Sequence, residues 1–190
     1  MVAVFTSPVS RFPLVDPATI HDPVTRQVFA EIEQELGFGI VPNLFRAMAI
    51  QPDVLRATWD LFRATVLRGA LPRAVKGMVG VVVSAANGSE YALKVHLHSL
   101  GVQGIGDEVL AALASGASEA PGLSPSVTAV LRLAHKAAQR GPRAVTDADV
   151  EAVTVEGITS LELAEVFASI DLFQYVNSFT DLARVPLDAI

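Results

Sequence analysis

Residues 75–100, V-K-G-M-V-G-V-V-V-S-A-A-N-G-S-E-Y-A-L-K-V-H-L-H-S-L, decide the fold. The stretch from 75 to 86 is apolar on nearly every side, which marks a helix buried all round. Its Val81-Val82-Val83 run favours a strand instead. Periodicity leaves these two readings open. Asn87-Gly88 breaks the chain. Ser89 is then placed to cap a helix that runs to Leu100 and stops at Gly101.

Outward from this stretch the chain reads as successive helices. One is predicted over 24–36, ending at Gly37. Pro42 opens a short helix. Pro52 sits at a first helical position, and Leu55, Trp59, Phe62 and Val66 follow at 3.6-residue spacing up to Gly69. Downstream, helices are predicted over 107–115 and from Ser124-Pro125, with Val127, Leu131 and Ala134 on one face. Thr146 with Asp149 and Thr159 with Glu162 are capping boxes. The second opens the last helix, with Leu163, Val166, Phe167, Ile170 and Phe173 as its stripe. No strand alternation persists, so the predicted class is all-α. Residues 1–23 carry Pro8, Pro13, Pro17 and Pro23 and read as an extended arm, with residues 24–190 as one helical domain.

Composition narrows the function. The chain has 190 residues, 51% hydrophobic and 18% charged, with net charge -6. Disorder is excluded as its main state. With 14 Lys+Arg scattered among 20 Asp+Glu, no basic face for nucleic acid is expected. The longest apolar stretch is too short to span a bilayer, and the N-terminus does not read as a secretory signal, so a cytoplasmic location is expected. So many apolar residues on a short chain exceed what one core hides, which predicts a homo-oligomer.

The chain has no cysteine, so it can form no disulfide, thiolate metal site or cysteine nucleophile. G-F-G-I-V-P lacks the third glycine of a phosphate loop and reads as a helix stop. His96 and His98 fall on different sides of a helix and cannot share a metal, so neither metal nor cofactor is expected. Ser89 and His96 share a helical face, but about 10 Å separates them along the axis. A nucleophile–base pair needs about 3 Å. The residues favour a capping Ser89 and a buried or lining His96. Tyr91 and Trp59 read as packing residues, as does Phe62. Asn177 reads as a tie between helices or a subunit contact, and Asp60 as a solvated charge.

The run V-V-V-S-A-A-N-G-S-E-Y-A-L-K-V-H resembles the core motif of AhpD-like alkylhydroperoxidases, in the carboxymuconolactone decarboxylase superfamily, where the pattern is S-x-x-N-x-C-x-Y-C-x-x-x-H. Ser84, Asn87, Tyr91 and His96 are in register. The flanking G-I-V-P-N-L-F-R-A-M and V-N-S-F-T-D-L-A-R-V-P-L-D look like the peroxidase-related branch. The resemblance implies an AhpD-like helical fold, usually homo-oligomeric. It places the motif's reactive positions at Ser89, Ala92 and His96, with a supporting glutamate at the position of Gly77.

Only His96 of those four groups is kept. A serine hydroxyl has a far higher pKa than a thiol and no sulfenate chemistry, and Ala92 has no reactive atom. Ser89 and Ala92 are therefore expected to be non-functional, and thiol peroxidase activity absent. Three readings follow. The first is a redox-inactive member that keeps fold, oligomer and a small-molecule pocket. The second is a non-thiol decarboxylase-like enzyme with His96 as acid or base. The third and weakest is a peroxidase that borrows cysteines from a partner.

Overall fold

The computed structural model describes residues 10–190, and the first nine residues of the proline-rich arm lie outside it. The described residues form nine α-helices and no strand, as the sequence predicts. Their ranges are α1 Pro23–Leu36, α2 Asn43–Met48, α3 Pro52–Phe62, α4 Arg73–Asn87, α5 Glu90–Val102, α6 Asp107–Ala114, α7 Pro125–Arg140, α8 Asp147–Thr154 and α9 Ser160–Ala183.

Helix α4 is the hub, packed against α5, α6, α7 and α9. Its residues from Lys76 to Ser84 are all buried. The valine run is therefore helical. A β-branched residue costs at most about 0.7 kcal/mol in a helix. Burying a valine side chain gains about 1.5–3 kcal/mol. Burial on every side outweighs the local preference. Gly88 ends α4 in the left-handed region at φ 69°, where a glycine carries no Cβ penalty.

Other ends follow their predicted signals. Gly37 closes α1 at φ 85°. Both capping boxes form, with Thr146 N–H donating to Asp149 and Thr159 N–H donating to Glu162. Two local expectations are corrected. The helix from Pro52 passes at Arg63 into a π-helical turn, Arg63–Leu67, instead of continuing as α-helix. Phe167 is 40% exposed and stands off the buried stripe of α9. Asp60 is exposed, as expected of a solvated charge, and with Arg56, Arg63, Glu31 and Glu35 it also forms an ion-pair cluster joining α1 to α3.

A second charged feature lies behind α4. Lys76 is fully buried and pairs with Glu165 at 2.7 Å. The Glu165 carboxylate also accepts the N–H groups of Ala70 and Leu71. Gly69, at φ 107°, is required there, because a Cβ would lie 2.4 Å from Glu165. Burial pushes the Glu165 carboxyl up, but Lys76 and the two amides outweigh it and hold it below its ordinary value.

Candidate functional site

The first turns of α5 and the middle of α4 bring the motif residues to one place. His96 is buried, and its imidazole lies flat on Gly80. A Cβ there would fall 2.8 Å from Cε1 and Nε2. Phe173 of α9 meets the ring edge-on with centroids 4.5 Å apart. The ring makes no hydrogen bond to any described residue. Burial alone pushes its pKa down to about 4, so it is neutral at pH 7.

His96 faces a cavity of about 50 Å³. The walls are mostly apolar, with Leu44 and Phe45 of α2, Phe62 of α3 and Val95 and Ala92 of α5. Phe38, between Gly37 and Gly39 at positive φ, lines one side and meets His98 edge-on. Ser99, Gln103, His96, Tyr91 and Arg73 are the residues with polar side chains in its lining. Gly77 also lines the cavity, and a Cβ there would lie 2.8 Å from Leu100 Cδ2. Leu100, itself fully buried, fills the space beside the position where the motif has glutamate.

Ala92 thus lies in the wall with His96, but Ser89 does not join them. Ser89 occupies the N-cap position of α5, yet its side chain caps no backbone amide. Its Oγ donates to Asp181 Oδ1 at 3.0 Å on α9. The expected capping bond is therefore replaced by a helix tie, because the buried hydroxyl finds a stronger, charged acceptor. No hydrogen bond joins Ser89 to His96.

Tyr91 does more than pack. Its hydroxyl donates to Asp188 Oδ2 at 2.6 Å and accepts Leu44 N–H at 3.0 Å. Asp188 also accepts Asn43 N–H, while the Asn43 amide donates to the carbonyls of Pro186 and Leu187. The C-terminal segment is thereby strapped to α2 and α5 beside the cavity. Burial, then the Asp188 charge, pushes the Tyr91 hydroxyl well up. Burial also raises Asp188, although Tyr91 and Asn43 oppose it.

Asn177 ties α9 to α4 by accepting from Ser84 at 3.1 Å. Trp59 is core, with its indole N–H donated to Glu31, whereas Phe62 reaches the cavity wall. No group of three or more metal-ligating side chains is found among the described residues. No helix among the described residues is long and apolar enough to cross a membrane. The cavity residues that sequence reasoning missed are Arg73, Ser99, Gln103 and the loop around Phe38. Ser99 and Gln103 lie three and seven residues beyond His96, one face of α5, which is a readable spacing. Arg73 comes from another helix and carries no such signal.

Residues 52–136 match the model of the carboxymuconolactone decarboxylase family. No curated protein matches the sequence. Among solved structures, the alkylhydroperoxidase AhpD core, an uncharacterised peroxidase-related protein from Ralstonia eutropha JMP134, superposes with TM-score 0.84 at 27% identity, covering 97% of this chain and 95% of its own. A peroxidase-related protein from Silicibacter sp. TM1040 gives TM-score 0.83 at 21% identity, covering 97% and 96%. The debrominase Bmp8, in complex with 2,3,4-tribromopyrrole, gives TM-score 0.78 at 20% identity, covering 95% of each chain. The chain therefore has the AhpD-like all-α fold with a carboxymuconolactone decarboxylase family region at its centre. Relative to the motif of that fold's peroxidases, both cysteine positions are replaced.

Proposed function

We propose that this chain is a redox-inactive AhpD-like protein that binds a small molecule in the cavity at His96. One observation carries the reading: all three changed motif positions are packed away or blank. Ser89 is turned to Asp181, Ala92 contributes a methyl to the wall, and Leu100 lies against Gly77. What remains is a small apolar cavity with a few polar groups, which has the lining pattern of a ligand site but not yet the volume of one. That a protein of this fold, the debrominase, is seen with 2,3,4-tribromopyrrole supports a small organic ligand.

The acid–base reading is weaker. His96 is neutral with a pKa near 4, and no carboxylate orients it or would stabilise an imidazolium. The test is direct. Peroxide consumption with a dithiol reductant should equal the no-protein control, and a panel of small organic acids and their amides should raise the melting temperature. Turnover of peroxide would refute redox inactivity, and no shift with any compound would refute the binding site.

We also propose assembly with further copies of the chain. Leu161, Ala168, Tyr175 and Leu182 are all exposed and recur every seven residues along α9. Such spacing forms a continuous helix-packing seam. The contact of Tyr175 with the Thr58 hydroxyl sets this seam beside the exposed Val54 and Leu61 of α3.

A further inference from the structure

Among the described residues, Arg73 is the only charged side chain that lines the cavity. It is half-buried, and desolvation pushes its pKa down. Every other partly buried arginine around the site is paired or well bonded. Arg56 and Arg63 bind Glu31, while Arg46 bonds Val15 O and Asn43. Arg73 has no acidic partner among the described residues, and Nη2 donates once, to Leu36 O at 2.9 Å. A guanidinium offers five N–H donors in a planar fork.

Its place lies between two helix ends of opposite sign. Arg73 is the first residue of α4, at the positive end of the helix dipole. The bond to Leu36, the last residue of α1, is a favourable cap for that helix, but it uses one donor and leaves the rest of the fork free. His96, also in the wall, is neutral, and no carboxylate among the described residues lines the cavity. The cavity thus has one positive pole and a largely apolar remainder.

We infer that the cavity receives a small organic anion, a monocarboxylate with an apolar body, whose carboxylate is held by the free fork of Arg73 while the body points toward His96. This rests on the small-molecule site proposed above and names the class of ligand. Carboxylate on guanidinium makes two parallel charged hydrogen bonds, a geometry that an amide cannot reproduce. The present cavity, about 50 Å³, holds little more than one or two waters, each taking about 30 Å³. A ring-sized acid enters only if side chains of the wall move apart.

Titration calorimetry with crotonate against crotonamide, and benzoate against benzamide, tests the inference at low salt. The acid of each pair should bind at least about tenfold more tightly than its amide. Arg73→Gln should bring the two within about twofold and leave the amide unchanged, while Arg73→Lys should keep part of the preference. Equal binding of acid and amide to the unmodified protein would overturn the anion assignment and leave the cavity site standing. Equal loss of both in Arg73→Gln would reduce Arg73 to a structural cap and also overturn it. Binding of none of the four would overturn the cavity site and this inference with it. If Arg73→Gln does not fold, the comparison in the unmodified protein still decides.

Discussion

The imidazole of His96 rests face-down on Gly80, with Phe173 against its edge. Phe173 limits how far the ring can yield on one side. Gly80→Ala is therefore an overpacking change, costing about 1–3 kcal/mol. It is offset by a helix-propensity gain of about 1 kcal/mol. A net loss of up to about 2 kcal/mol is expected in urea unfolding. With His96→Ala already in place the obstacle is gone and Gly80→Ala should become stabilising. A loss of equal size in both backgrounds would show that the ring is not what Gly80 accommodates.

Acid sensitivity should follow from the same ring. The folded-state pKa of His96 is about 4, below the ordinary 6.5. The unfolded chain then takes up the proton first, so stability falls as pH drops from about 6.5 toward 4 and the term levels off below. The full difference is worth about 3 kcal/mol. Glu31, held near 2 first by Arg56, acts in a lower window, losing its contribution as pH falls from 4.5 toward 2. Unfolding free energies at pH 7.0 and 5.0 should differ less in His96→Gln than in the unmodified chain. An unchanged pH slope would contradict the assignment.

Restoring sulfur should not restore peroxidase chemistry. In Ser89→Cys/Ala92→Cys the thiol at 89 would face the Asp181 carboxylate, which raises a thiol pKa instead of lowering it. Gly77 still lacks the motif carboxylate, and Leu100 blocks its place. Peroxide turnover should remain at background. Rapid turnover by the double variant would show that the surroundings are still competent.

Tyr91→Phe should loosen the C-terminal strap. It removes the donor to Asp188 and leaves Leu44 N–H without its acceptor. Losing both buried partners costs about 1–3 kcal/mol. Faster hydrogen exchange at the Leu44 amide is the specific sign. Unchanged exchange there would mean that the strap holds without the hydroxyl.

The seam on α9 should govern assembly. Sedimentation at micromolar concentration is expected to give an oligomer, and Leu161→Lys/Leu182→Lys a monomer of unchanged helicity. A monomeric unmodified chain would remove the proposal.

Much of the architecture was legible because caps and breakers are local. Thr159 with Glu162 and the Gly37 and Gly88 stops act within a few residues of themselves. Val81–Val83 was not, since its conformation is decided by helices packed around it from distant parts of the chain. The site divided in the same way. His96 and Ala92 share one face of α5, and the resemblance to the family motif had already placed them together. Ser89 could not be placed, because its rotamer answers to Asp181, 92 residues away. Arg73 reaches the cavity only through the crossing of α4 and α5.

The ion pair behind α4 bears on how this cavity can be interrogated. Lys76 precedes Gly77 directly, so the wall is anchored by an ion pair whose cation is fully buried and whose carboxylate is mostly so. Mobile ions screen exposed charges within about 10 Å at 0.1 M, but reach a largely buried pair poorly. Added electrolyte should leave the chamber's shape intact. Any ionic-strength effect on occupancy then reports on the guanidinium at its mouth, not on a deformed scaffold.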